Sequence, residues 1–202
     1  MFYVLTGIDG AGKSSVIEVL SKRGMKTCTV TPEFALSSAE YTKPLIDMKP
    51  REFFQDMPPL ERSTFLSLLV SLTFERHIKP ALTEGTDILC DSYWYKYAAK
   101  ECVINPGSSQ YLLSFFESLP SPDKVIVLET EPEVAWGRKG GSATPFEYGG
   151  GDKYDVRAAF IDFQKKVGNK LLSFPPSIAT SSIKTDRGPE ELADHIENML
   201  YA

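Results

Sequence analysis

The sequence predicts an α/β fold of three layers, with a five-stranded, mainly parallel sheet between flanking helices. Two observations carry that expectation. Apolar, β-rich runs alternate with helically spaced segments along the chain. The first of those runs, residues 2–6, passes into the segment that begins at Lys13 through a glycine-rich turn, the junction of a strand–loop–helix unit. The 202 residues are enough for one large core, and neither an internal repeat nor a linker-like stretch divides them, so a single domain over 1–202 is expected.

Residues 2–6 form the first strand, short and apolar. A helix is expected over about 13–23, where Val16, Ile17, Val19 and Leu20 recur at helical spacing and Gly24 suits the stop. A second strand covers 26–30. Residues 32–60 are proline-rich and read as irregular, with a short helix near 41–48. A long helix follows over about 60–84, with a possible kink at Pro80. Residues 87–91 read as a buried strand ending in a carboxylate, and helices are expected at about 94–102 and 108–118. The strand at 124–128 leads to a helix opening near Pro132, where proline suits the first turn. After the glycine-rich stretch 140–153 come a helix at about 154–173, a strand near 177–184 and a last helix at 189–200.

The chemistry is concentrated in Gly7-Ile8-Asp9-Gly10-Ala11-Gly12-Lys13-Ser14, a full match to the phosphate-binding pattern G-x-x-x-x-G-K-[ST] in its strand-to-helix context. Glycines let the backbone close around phosphate oxygens. The N–H groups and dipole at the start of the helix favour an anion. Lys13 is expected on the β/γ-phosphates and the Ser14 hydroxyl on Mg²⁺. Asp91, at the end of its strand, is expected to hold Mg²⁺ as a Walker B carboxylate does, the plainer role being a helix N-cap. A signalling GTPase would need an N-K-x-D base reader, which is absent. A small kinase remains, with a donor site, an acceptor site and a mobile cover.

Composition sets the outer bounds. A formal net charge of −5 argues against a polymeric nucleic acid as partner. Three cysteines without short paired spacing read as free thiols, Cys28 and Cys90 being in apolar runs. His77 and His195 are expected on helix surfaces. The start of the chain runs straight into a strand and its longest apolar-rich stretch, 65–74, is too short to span a membrane, so a cytoplasmic protein is expected. Apolar residues cover nearly the whole circumference of the helix at about 60–76, which predicts burial on both sides, by other helices or by the second subunit of a homodimer.

The chain resembles the thymidylate kinase family. The resemblance rests on the GIDGAGKSS loop, on Ile78-Lys79-Pro80-Ala81-Leu82 followed by Gly85 and Ile88-Leu89-Cys90-Asp91, on Glu131-Pro132-Glu133-Val134-Ala135 with Arg138, and on Val156 to Phe160. It implies a five-stranded parallel sheet, a homodimer, and transfer of the γ-phosphoryl group of ATP, with Mg²⁺, to a nucleoside monophosphate. It implies an ATP loop comprising Gly7, Asp9, Gly10, Ala11, Gly12, Lys13, Ser14 and Ser15. The loop has no basic residue between Gly7 and Gly12, and members of that kind place their catalytic arginine in the lid, here Arg138 in a lid over about 138–153 with Lys139 and Lys153. Lys13, Asp9 and Arg138 are thus the expected catalytic residues. Asp9 is expected on an acceptor sugar hydroxyl or on its own loop, and Arg157 on a phosphate or on a helix surface.

The acceptor side departs from the family. Where the family has an arginine after the strand-end aspartate, this chain has Ser92. Where it has Arg-Glu-Pro after the second strand, this chain keeps Glu33 without the arginine. An ungapped count from Lys79-Pro80 puts Val70 and Leu66 where the family reads its base with an arginine and a phenylalanine. Arg51, Arg62 and Arg76 are candidate substitutes. Of the nearby aromatics Phe34, Phe53, Phe54, Tyr93, Trp94, Tyr95 and Tyr97, Tyr93 and Trp94 are the candidates to stack on an acceptor. The leading acceptor is dTMP or a related deoxynucleotide. A nucleoside or other metabolite without a phosphate is the alternative, and a nucleotide-binding regulator with little transfer activity is a third.

Overall fold

The computed structural model describes residues 1–49, 56–107, 109–151, 153–174 and 179–201. Five strands, β1 (Phe2–Gly7), β2 (Lys26–Thr29), β3 (Ile88–Asp91), β4 (Lys124–Glu129) and β5 (Ala179–Lys184), make one sheet in the order β2-β3-β1-β4-β5. Every pairing is parallel. All residues of β1 are buried. Because successive strand side chains point to opposite faces, both faces of the sheet centre are covered, which explains the unbroken apolar run.

Helices α1 (Lys13–Lys22), α2 (Pro32–Ser37), α3 (Pro59–Thr73), α4 (Lys79–Thr83), α5 (Tyr95–Ile104), α6 (Ser109–Glu117), α7 (Pro132–Arg138), α8 (Val156–Ser173) and α9 (Pro189–Tyr201) flank the sheet. α1 packs on α9, where Arg23 meets Glu190, Asp194 and Glu197 at 2.9, 2.7 and 2.7 Å. α5 packs on α8, and α3 lies among α2, α5 and α6.

Four expectations change. The proline-rich stretch begins with the unforeseen α2, whose first residue is Pro32. The helix expected near 41–48 is a single 3₁₀ turn, Lys43–Leu45. The long helix is not one uniform α-helix; a π turn, Phe74–Ile78, joins α3 to α4 just before Pro80. Pro80 has no N–H to offer and its ring would press on the carbonyl of Arg76, so the wider turn absorbs the conflict. His77 is half-buried with its ring 4.5 Å from that of Phe34, whereas His195 is exposed. Cys28 and Cys90 face each other in register across β2 and β3 as buried free thiols, and Cys102 is half-buried. Among the described residues no helix is long and apolar enough to cross a membrane.

Candidate active site

The loop between β1 and α1 lies at the carboxyl end of the central strand, where open α/β sheets bind ligands. Gly10 has φ +80°, and a Cβ there would stand 2.6 Å from the carbonyl oxygen of Ala135 on α7. The loop is therefore seated on α7 with no room for a side chain. Gly12, at φ +91°, turns the chain into α1. Lys13 is buried and its Nζ donates to the carbonyls of Gly7 and Ile8 at 3.0 and 2.9 Å. Burial and then the neighbouring Lys96 lower its pKa to about 8, against the opposing pull of Asp91 and Asp9. Ser14 and Ser15 are exposed on the first turn of α1.

Asp9 is the hub of a buried network. Its carboxylate pairs with Lys96 at 3.2 Å through Oδ1 and with Lys100 at 2.6 Å through Oδ2. Gln164 of α8 donates to Oδ2 at 3.1 Å and accepts from the Asp9 backbone N–H at 3.0 Å. Burial pushes the Asp9 pKa up, but the charges of Lys100, Lys96 and Lys13 outweigh it and hold the carboxyl well below its usual value. Of the two expected roles for Asp9, fixing the loop is the one this geometry performs. Gln164 and Lys100 also reach the glycine-rich segment after α7: Gln164 donates to Glu147 O at 2.7 Å and Lys100 to Phe146 O at 3.1 Å.

Asp91 ends β3 between Leu5 of β1 and Thr29 of β2. The next two residues, Ser92 and Tyr93, have φ of +65° and +43°. Left-handed geometry at non-glycine residues costs of order 1–3 kcal/mol each. Hydrogen bonds secure the turn: Ser92 N–H donates to Leu5 O at 2.8 Å, and Ser92 Oγ to Asp91 Oδ1 at 2.7 Å. Among the described residues no group of three or more His, Cys, Asp or Glu side chains is placed to hold a metal. One carboxylate and one hydroxyl beside a phosphate loop fit Mg²⁺, which takes few protein ligands and completes its shell with phosphate and water.

Arg138 closes the other side of the loop. Its guanidinium donates to Ala11 O at 3.2 Å, to Thr185 Oγ1 at 3.1 Å and to Thr185 O at 2.6 Å, bridging the loop to the end of β5. Beyond it, Lys139 pairs with Glu147 at 2.9 Å, and Thr144 and Glu147 form a reciprocal cap around the 3₁₀ turn Pro145–Glu147. Lys153 and Arg157 are exposed. A cavity of about 870 Å³ opens on this side, bounded by Gly7, Ile8, Thr130, Arg138, Gln164 and Thr185.

The model of the family described as thymidylate kinase matches residues 5–196, taking in the loop, Asp91, Arg138 and Gln164 together. The chain belongs to the thymidylate kinase family. Similar proteins include a probable thymidylate kinase of Pyrobaculum aerophilum, 25% identical over 200 residues, 98% of this chain and 95% of the relative. A thymidylate kinase of Neorickettsia sennetsu is 32% identical over 158 residues, covering 73% and 75% of the two chains. A probable thymidylate kinase of Archaeoglobus fulgidus is 26% identical over 153 residues, 73% and 74% of the two.

Against that thymidylate kinase background the acceptor-side expectations need correction. Tyr93 is fully buried, edge-on to Phe2 with ring centroids 5.1 Å apart. Trp94 stacks on Tyr95 at 3.9 Å and on Phe116 at 5.6 Å. The left-handed turn directs both rings into the core, where protein partners occupy their faces. Arg62 is neither a solvated charge nor an open substrate contact, because it is buried in a two-point pair with Glu101 at 2.6 and 3.0 Å. Arg76 is exposed on the π turn, 6.0 Å from the Tyr41 ring centroid. Glu33 is exposed in the first turn of α2. Arg51, Phe53 and Phe54 lie outside the described residues. The groups that sequence reasoning missed are Lys96, Lys100, Gln164 and Thr185. Lys96 and Lys100 stand four apart on the helix after the strand-end carboxylate, the one local signal available.

The seating of the loop on α7 sets a sharp steric expectation. Gly10→Ala should cost about 1–3 kcal/mol and weaken ATP binding, since its Cβ meets backbone that cannot yield. Thermal melting beside an ATP titration checks this; an unchanged variant would mean that α7 is not where the loop rests.

Proposed function

We propose that the protein transfers the γ-phosphoryl group of ATP to dTMP. The observation that carries the reading is the family match across residues 5–196 together with an intact phosphate loop whose lysine is drawn inside it. The donor phosphates lie on the loop N–H groups from Gly10 to Ser15, and their oxygens take over from the Gly7 and Ile8 carbonyls as partners of Lys13. Arg138 stabilises charge on the transferring group from the β5 side. Ser14 and Asp91 would hold Mg²⁺, which when bound would supply neutralisation of the charge developing on the phosphates. Asp9 touches no reacting atom; it secures the loop through Lys100 and Gln164 and holds Lys96 directly. Nothing in this scheme requires a covalent enzyme intermediate. The attacking phosphate oxygen has only to be held in line with the γ-phosphorus while water is kept out.

We also read the protein as a homodimer. Leu60 is exposed and Phe65 and Leu68 are half-buried along one side of α3, whose remaining sides are packed within the chain.

The deciding assay is ATP- and Mg²⁺-dependent transfer across matched pairs, each nucleoside beside its monophosphate. Turnover is expected with dTMP and absent with thymidine. Transfer to thymidine alone would replace the reading with a nucleoside kinase, the alternative that the commitment of Arg62 to Glu101 favours. Silence with every acceptor and tight ATP binding would replace it with a regulator.

A further inference from the structure

The two sides of the phosphate loop are not alike. Arg138 stands on the β4–β5 side. Of the arginines described on the β3 side, Arg62 is bound to Glu101 and Arg76 stands 6.0 Å from the Tyr41 ring centroid. That side carries lysines instead: Lys96 and Lys100, both on α5 and both on Asp9.

These two lysines differ in what they have left to give. Lys100, with 2% of its side chain exposed, is committed to Asp9 and Phe146 O, and lies 4.1 Å from the centroid of the Phe146 ring. Lys96 has 18% exposure and one hydrogen bond among the described residues, the longer contact to Asp9 Oδ1. An ammonium has three N–H donors, so two point elsewhere. Charge balance leads the same way. Lys13, Lys96 and Lys100 surround two carboxylates, Asp9 and Asp91, leaving one positive charge in excess in a place largely withdrawn from water. A second anion on the β3 side would cancel it.

We propose that Lys96 receives the phosphate of the nucleoside monophosphate acceptor, held in position by Asp9, and that it separates monophosphates from nucleosides in this enzyme. The inference rests on the reading of the protein as a monophosphate kinase and names the group that makes it one. Its logic is that of a point charge: an ammonium needs no two-point geometry, so it tolerates displacement of the phosphate during transfer better than a guanidinium fork.

The test is equilibrium binding of dTMP, thymidine and ATP to the parent, Lys96→Met and Lys96→Arg. Lys96→Met should lose roughly 10- to 100-fold in dTMP affinity with thymidine and ATP held within about twofold, and Lys96→Arg should recover most of it. If the parent phosphorylates dTMP while Lys96→Met binds it normally, or while dTMP and thymidine affinities fall together, the inference fails and the kinase reading stands. If the parent phosphorylates thymidine and not dTMP, the kinase reading fails and takes the inference with it.

Discussion

Lys13→Met is expected to abolish phosphoryl transfer, by about a thousandfold or more, and at the same time to make the ligand-free protein more stable at neutral pH. The first effect follows from removing the cation that the proposed scheme sets on the donor phosphates. The second follows from its resting state. Burial, then Lys96, brings the folded pKa from 10.5 down to about 8. Between those values the unfolded chain binds more protons than the folded one, so stability rises with pH from about 8 to about 10.5. Below about pH 8 the folded protein carries a confined ammonium at a cost of order 3 kcal/mol, partly offset by its bonds to Gly7 and Ile8. Melting temperatures of parent and variant across pH 6 to 10 check the sign. The variant should melt higher at pH 7, and its advantage should fade as pH passes about 8. A variant that melts lower throughout would show that the two carbonyls depend on Lys13 more than its charge costs.

Arg62→Met should be the most destabilising single substitution, by about 3–5 kcal/mol, because it leaves Glu101 charged and enclosed. The pair is buried on both sides, with 6% and 2% of the side chains exposed. Asn105, 3.4 Å from Glu101 Oε2, is too weak a partner to replace a guanidinium. Pairing Arg62→Met with Glu101→Leu should recover most of the loss, since two apolar side chains need no counter-ion. Urea midpoints for the two singles and the double measure the coupling. Purely additive losses would mean that the pair is not the tie between α3 and α5. The consequence reaches the site, because α5 carries Lys96 and Lys100.

What the sequence disclosed divides along the range of the interactions. β1, β3 and β4 were legible because each is a short apolar run, residues 2–6 against Phe2–Gly7 and 124–128 against Lys124–Glu129, whereas β2 (KTCT) and β5 (ATSSIK) are mostly polar and were legible from their place in the alternation of strands and helices. The phosphate loop was legible because its residues are contiguous. The rest depends on distant partners. Glu101 meets Arg62 across 39 positions, and Gln164 meets Asp9 across 155. A lysine on a helix looks like a solvated charge until the fold brings a carboxylate to it. Tyr93 and Trp94 follow the strand-end aspartate in sequence, but two left-handed residues turn them into the core, and nothing in Ser-Tyr-Trp announces such a turn.

The π turn at Phe74–Ile78 alters how this helix should be counted. It carries one residue more than the α turn it stands in for, so it acts as an insertion folded into an unbroken helix. Stepping back from Lys79 in fours therefore drifts by about 100°, the angle of one residue. Leu66 and Val70, which an ungapped count assigns to the site, are wholly enclosed in the core. Deleting a single residue in the π turn, Glu75 for example, would restore uniform pitch and rotate Pro59–Thr73 by more than a quarter turn, withdrawing Arg62 from Glu101 without altering either residue.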